Sequence, residues 1–83
     1  MTRFEDLVDL IHQTRNKELL EDLMLGLTTP YERKVLSRRI EIVKRLVAEQ
    51  TQHEIAQDLH IGVSTVTRGA RELAQGRFKI LKK

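Results

Sequence analysis

The sequence predicts an all-α fold that contains a helix-turn-helix motif. Apolar residues recur at the three- and four-residue spacing of amphipathic helices from Phe4 onward. Thr29 and Thr51 each begin a Thr-x-x-Glu pattern, which is typical of a capping box at a helix start. A short predicted helix, a tight turn and a second helix then follow one another within residues 51–75.

Size and composition indicate one small domain with an aliphatic core. The chain has 83 residues, of which 40% are hydrophobic but only 4% aromatic, and it has no cysteine. We therefore expect a single helical domain over residues 1–83 without disulfides or thiolate metal sites. No apolar run is long enough to span a membrane, and no signal-peptide pattern opens the chain. We expect a soluble cytoplasmic protein that has no membrane partner.

The first two predicted helices are short. The first has a single apolar stripe formed by Phe4, Leu7, Val8 and Ile11. The second extends from Lys17 to Leu25, where Asn16 is a suitable N-cap and Gly26 a typical stop.

The third predicted helix is long and covers residues 30–49. Thr29 caps it, Pro30 occupies the first helical position, and Glu32 completes the capping box. Its apolar residues cover a broad arc, which predicts packing against more than one neighbour. They are Val35, Leu36, Ile40, Ile42, Val43, Leu46 and Val47.

The run GVSTVTRGAR, residues 62–71, is rich in poor helix formers and alone fits an edge strand, a loop or a helix. Beside the capped helix that ends near Leu59, it predicts a second helix from Val63 to Gln75, with Gly76 as its stop. Ala56 suits a close helix crossing, with Leu59, Ile61 and Val66 as the shared core. The turn then places His60 in a left-handed conformation that usually takes glycine.

Charge and side-chain chemistry favour double-stranded DNA as the partner. Residues 1–29 hold three basic and six acidic side chains, and because the overall charge is +3, residues 30–83 carry +6. The outer side of the second helix carries Val63 for a thymine methyl and short polar groups and arginines for bases and phosphates. The polar and basic residues are Ser64, Thr65, Thr67, Arg68 and Arg71. A helical hairpin that serves only as an interaction adaptor is the alternative.

Three blocks make the chain similar to the tryptophan repressor family: TPYER at 29–33, SRRIEIV at 37–43, and QHEIAQDL with VSTVTRG between residues 52 and 69. The resemblance covers roughly residues 4–75. It implies an all-helical fold of the trp-repressor type in which two copies form an intertwined homodimer. Residues 4–49 would supply the dimerisation helices, and residues 51–75 the helix-turn-helix.

The resemblance also implies a transcriptional repressor whose corepressor, L-tryptophan, positions the second helices at an operator. Arg39 and Arg68 would flank the indole, and Arg68 would also bind the ligand carboxylate. The full implied ligand set is Gly26, Thr28, Thr29, Arg39, Arg68, Gly69 and Glu72. The implied DNA contacts are Gln52, His53, Ala56, Val63, Ser64, Thr65, Thr67 and Arg68.

The chain departs from the family pattern in three places. Glu72 replaces a small hydroxyl residue, the connection before residue 51 is one residue shorter, and only about eight residues follow Gln75. Glu72 either pairs with Arg68 and competes with the ligand, or binds the ligand ammonium.

One question of function stays open in the sequence. A ligand-independent DNA-binding module, of the transposase or replication-initiator type, is the alternative to a tryptophan-responsive repressor. The sequence has no pattern for catalysis, and its three histidines lack the spacing for a shared metal site, so we expect neither an enzyme nor a metal protein.

Overall fold

The computed structural model describes residues 1–82 and, over that range, contains five α-helices, one short 3-10 helix and no strand. The helices are α1 (Phe4–Gln13), α2 (Lys17–Leu27), α3 (Pro30–Val47), α4 (Gln52–Leu59) and α5 (Val63–Ala74), and the 3-10 helix is Lys79–Leu81. The predicted all-α fold class is confirmed. The chain divides into two compact units, Met1–Arg33 and a second that begins at Lys34.

In the first unit, the start of α2 follows the sequence prediction and its end does not. Asn16 Oδ1 accepts hydrogen bonds from the backbone N–H groups of Glu18 and Leu19 at 2.8 and 3.1 Å. The helix continues through Gly26 to Leu27, so the predicted stop at Gly26 is wrong. It ends where Thr28 becomes extended and donates its hydroxyl to the Met24 carbonyl oxygen.

Within residues 1–82, the apolar faces of α1 and α2 are partly or fully exposed. Neither helix contains a buried residue. Phe4 is 75% exposed, Leu19 64% and Leu25 52%, which are high values for side chains of this kind. These helices therefore present apolar surface that suits a second protein surface.

The second unit has a small, closely packed aliphatic core. Ile42 from α3, Ile55 from α4 and Val66 from α5 are at most 1% exposed, and Ala56 joins them. Leu46, Leu59 and Ile61 pack around this cluster. The predicted core contribution of Leu59, Ile61 and Val66 is confirmed.

The connection between α3 and α4 is tight because Glu49 adopts a left-handed conformation. Helix α3 ends at Val47 rather than at residue 49, and Glu49 has φ of 68°. The Glu49 N–H donates to the Leu46 carbonyl oxygen at 2.9 Å, and the Gln50 N–H donates to that of Arg45 at 3.0 Å. Such a left-handed residue caps the exposed carbonyls of a helix end and reverses the chain quickly.

A polar network crosses this connection and links α3 to α4. Arg45 contacts Glu41 on its own helix at 2.7 Å and Asp58 on α4 at 3.3 Å. The amide of Gln50 donates to the same carboxylate oxygen of Asp58 at 2.7 Å. The network therefore helps to fix α4 relative to the end of α3.

The turn between α4 and α5 has the predicted geometry. His60 has φ of 56° and ψ of 48°, which places it in the left-handed region. The Ile61 N–H donates to the Ala56 carbonyl oxygen at 3.0 Å and closes the turn. Thr51 caps α4 as expected, since its side chain accepts from the Glu54 N–H at 3.2 Å. Helix α5 ends at Ala74, and Gly76 follows with φ of 91°.

Across residues 1–82, no helix combines the length and apolarity needed to cross a bilayer. In the same range, no three histidine, cysteine or acidic side chains are grouped closely enough to hold a metal ion.

Candidate nucleic-acid interface

Helix α5 presents a mixed polar and basic face to solvent, and the start of α4 lies beside it. His53, Ser64 and Arg68 are exposed, and Val63 is 40% exposed. The opposite face of α5 carries Val66 into the core, which fixes the direction of these side chains. Apolar, hydroxyl and guanidinium groups of this kind are ones that can contact base edges and phosphates in a DNA groove.

Three further residues of the predicted DNA set, Gln52, Thr65 and Thr67, are partly buried. The Thr67 hydroxyl oxygen lies 2.7 Å from Oε1 of Gln52 and 3.0 Å from the carbonyl oxygen of Val63. Thr67 and Gln52 are therefore joined across the two helices before any DNA is present.

Ala56 differs from the other predicted DNA contacts because the structure places it in the core. It is only 9% exposed and packs with Ile42, Ile55 and Val66. Its small side chain serves the close crossing of α4 and α5, as its position in the turn predicts. The structure therefore gives Ala56 a packing role, and its implied contact with DNA stays a prediction.

Arg39 on α3 and Arg68 on α5 are exposed guanidinium groups. Within the described part of the chain, neither arginine makes an ion pair at 4.0 Å or less. Both therefore keep their hydrogen-bond donors available for an anion from outside the chain.

Gly69 on α5 lies against side chains of α3. A Cβ atom built on Gly69 would meet Cγ2 of Ile42 at 3.2 Å and side-chain atoms of Leu46 and Val43 at 3.9 and 4.0 Å. Arg39 precedes Ile42 by one helical turn, and Glu72 follows Gly69 by one turn. The missing side chain at Gly69 is explained by this packing contact within the chain.

Glu72 has a partner that neither sequence alternative included. Its carboxylate lies 3.8 Å from Nε of Arg77, and the Arg77 N–H donates to the Glu72 carbonyl oxygen at 3.1 Å. Arg77 comes five residues later, beyond the end of α5, so helical spacing could not have identified it. No pairing of Glu72 with Arg68 is present among residues 1–82.

The remaining residues of the implied ligand set belong to the first unit. Gly26 is exposed on the last turn of α2, and a Cβ atom there would meet nothing within 4 Å. Thr29 caps α3 through a capping box with Glu32. The carbonyl oxygen of Thr28 accepts a hydrogen bond from Nη1 of Arg33 at 2.7 Å. This bond gives Arg33, the last residue of TPYER, a structural role that the sequence did not reveal.

Comparisons with known proteins agree with this geometry. The family model described as Trp repressor protein matches residues 2–81. The chain is 38% identical over 73 residues to the Trp operon repressor homolog of Vibrio cholerae serotype O1, covering 87% of this chain and 71% of that protein. The Trp operon repressor homolog of Photobacterium profundum is 39% identical over 74 residues, covering 87% of this chain and 71% of the relative.

No solved structure matches the chain. The family match nevertheless spans both structural units, and the curated relatives extend over most of the chain. The resemblance in TPYER, SRRIEIV and the helix-turn-helix is thereby confirmed. The chain belongs to the Trp repressor family, a family of DNA-binding transcriptional regulators.

Proposed function

We propose that two copies of this chain bind an operator in double-stranded DNA as a homodimer and repress transcription. The observation that carries the proposal is the exposed polar and basic face of α5, held on a buried aliphatic core. Val63, Ser64 and Arg68 are the base-facing residues, and Thr65 and Gln52 lie toward phosphates. The uncovered apolar residues of α1 and α2 support the dimer, because a second copy would remove them from water.

We further propose L-tryptophan as the corepressor. Arg39 and Arg68 supply unpaired donors, and the guanidinium of Arg68 binds the ligand carboxylate. Pro30 has no N–H to offer the Gly26 carbonyl four residues earlier, so that oxygen keeps acceptor capacity at the end of α2. In the proposed dimer, Gly26, Thr28 and Thr29 of one copy line the ligand opposite the arginines of the other. Arg33 orients the Thr28 carbonyl through their hydrogen bond.

Glu72 binds the ligand ammonium in this proposal. The competing alternative, an ion pair with Arg68, has no support in the contacts of either residue, since Glu72 faces Arg77 instead. The pair with Arg77 is long at 3.8 Å, and the side chain of Arg77 is 67% exposed, so an ammonium group displaces it at little cost.

Calorimetry and DNA binding together test the proposal. The duplex is first selected from a randomised library with the purified wild-type protein. L-tryptophan is expected to release or absorb heat on binding and to strengthen binding to that duplex. Arg39→Ala is expected to abolish the tryptophan response while leaving ligand-free DNA binding unchanged. Arg15→Ala, an exposed arginine between α1 and α2, is the matched control and keeps the response.

Glu72 is tested with a second ligand. Glu72→Gln should weaken L-tryptophan binding about tenfold, which corresponds to one charge-assisted hydrogen bond. The same substitution should leave indole-3-propionate, which has no ammonium, unaffected. DNA binding without any heat or effect of L-tryptophan would instead identify a ligand-independent module. Failure to bind any duplex would overturn the repressor proposal as a whole.

A further inference from the structure

The contact between Thr67 and Gln52 joins two residues that would each be expected to face DNA. Thr67 lies on α5 and Gln52 is the first residue of α4, fifteen positions earlier. Both side chains are partly buried, and their oxygen atoms are 2.7 Å apart. A hydroxyl engaged in this way is less available to DNA than the sequence pattern suggests.

The distances decide which atom donates. The Thr67 hydroxyl has one hydrogen and two nearby acceptors, Oε1 of Gln52 at 2.7 Å and the Val63 carbonyl oxygen at 3.0 Å. The shorter separation is usual for an O–H···O hydrogen bond, whereas an amide N–H donor typically stands about 2.9–3.0 Å away. The Val63 carbonyl also accepts the Thr67 backbone N–H within α5. The hydroxyl hydrogen therefore points to Gln52.

This assignment fixes the orientation of the Gln52 amide. With Oε1 bound to Thr67, the amide nitrogen and its two hydrogens are directed away from the hydroxyl. In the described part of the chain, that nitrogen has no hydrogen-bond acceptor and is not a buried atom without a partner, so it is open to solvent. An outward NH₂ group is a donor for a phosphate oxygen, whereas an outward carbonyl oxygen would be repelled by it.

We propose that Thr67 is a positioning residue that acts on DNA through Gln52. By accepting the Thr67 hydroxyl, the Gln52 amide is held with its NH₂ group toward one phosphate of the duplex. The inference rests on the proposed DNA binding and adds a role to it: Thr67 contributes affinity without a contact of its own to a base. The hydrogen bond also couples the start of α4 to the reading helix α5.

Methylphosphonate substitution provides the test, because it replaces one charged phosphate oxygen by a methyl group. The wild-type protein and its variants are titrated against the selected duplex, with the substitution moved along each strand. Gln52→Ala should weaken binding about tenfold and lose sensitivity to one particular phosphate. Thr67→Val keeps the shape but lacks the hydroxyl, and should lose sensitivity to the same phosphate. Thr67→Ser should retain it.

The double variant separates positioning from direct contact. If Thr67 acts through Gln52, the Gln52→Ala, Thr67→Val pair binds no more weakly than Gln52→Ala alone. The inference is overturned if the two losses multiply, if Thr67→Val keeps the wild-type phosphate profile, or if Gln52→Ala binds normally. Thr67→Ala replaces Thr67→Val if the latter unfolds. If the wild-type protein selects no duplex, the proposed DNA binding itself is wrong. This outcome differs from those that overturn only the positioning role of Thr67.

Discussion

Gly69 on α5 and Ile42 on α3 approach so closely that a Cβ atom on the glycine would lie 3.2 Å from Cγ2 of the isoleucine. Ile42 is only 1% exposed, and so is Val43 beside it, so neither side chain has room to move away. The absence of a side chain at Gly69 therefore leaves the space that Ile42 occupies between α5 and α3.

Gly69→Ala should lower the free energy of unfolding by about 1 kcal/mol. Overpacking of a filled core destabilises a protein by roughly 1–3 kcal/mol. The higher helix propensity of alanine offsets about 1 kcal/mol of this cost. Gly26→Ala is the matched control, because it has the same chemistry on a helix with nothing within 4 Å of the new atom. The control should be neutral or stabilising. Urea denaturation measures both, and equal shifts in the same direction would contradict the packing argument.

A second substitution locates the clash. Ile42→Leu removes Cγ2, the atom that Gly69→Ala would meet, at similar side-chain volume. Combined with Gly69→Ala, it should cost less than the sum of the two single changes. Strict additivity of the unfolding free energies would mean that the strain lies elsewhere.

His60 offers a route to a more stable protein. Its φ of 56° is unfavourable for any residue with a Cβ atom. His60→Gly should raise the free energy of unfolding by about 0.5–1 kcal/mol, after allowing for the entropy of glycine in the unfolded chain. His60→Val should lower it by at least about 1 kcal/mol, since a β-branched residue fits this region poorly. Thermal unfolding followed by circular dichroism tests whether stability falls in the order glycine, histidine, valine at position 60. Any other order would contradict the prediction.

The Arg45 network should contribute modestly to stability and depend on salt. The side chain of Arg45 is 31% exposed and that of Asp58 is 53% exposed, so solvent screens their attraction. Asp58→Ala removes the partner of both Arg45 and Gln50 and should cost about 1 kcal/mol at low salt. At 1 M sodium chloride the cost should fall by roughly half, because the screening length drops to about 3 Å.

Asp22→Ala serves as the control for this change, as Asp22 is an exposed carboxylate on α2. The network has no such role if both alanine variants unfold alike at every salt concentration.

Arg33 should stabilise the end of α2. Its guanidinium donates to the Thr28 carbonyl oxygen at 2.7 Å and contacts the Thr28 hydroxyl at 3.2 Å. Arg33→Ala should cost about 1.5–3 kcal/mol, the usual range for a hydrogen bond that involves a charged group. Lys34→Ala, at the next and exposed position, should be nearly neutral. Faster amide hydrogen exchange at Thr28 in the Arg33 variant, and not in the Lys34 variant, is the expected signature.

Local rules predicted the helix starts and the tight turn of this protein. Asn16, Thr29 and Thr51 each accept a hydrogen bond from the backbone N–H three residues later. This pattern can be recognised from four consecutive residues, so the helix starts could be predicted. The left-handed His60 was likewise predictable from its place in the motif. These features depend on only a few neighbouring residues.

Features that depend on long-range contacts could not be predicted in the same way. A glycine near a helix end suggested a stop at Gly26, but the following Thr28 and Arg33 determine where α2 ends. The resemblance to the family placed Gly69 in the implied ligand set, and its packing contact with Ile42 is visible only in the structure. Arg77 reaches Glu72 from beyond the helix, where no periodic pattern applies.

The hydrogen bond from Arg33 to Thr28 gives the TPYER sequence at residues 29–33 a structural role that does not depend on any ligand. Thr29, Pro30 and Glu32 begin α3 while Arg33 stabilises the end of α2, so all four residues take part in this corner. Selection for a correct corner would preserve the signature in descendants that respond to a different small molecule or to none. A match to TPYER therefore indicates that this corner can form, whereas the proposed response to a ligand depends on other positions, such as Glu72, which the corner does not constrain.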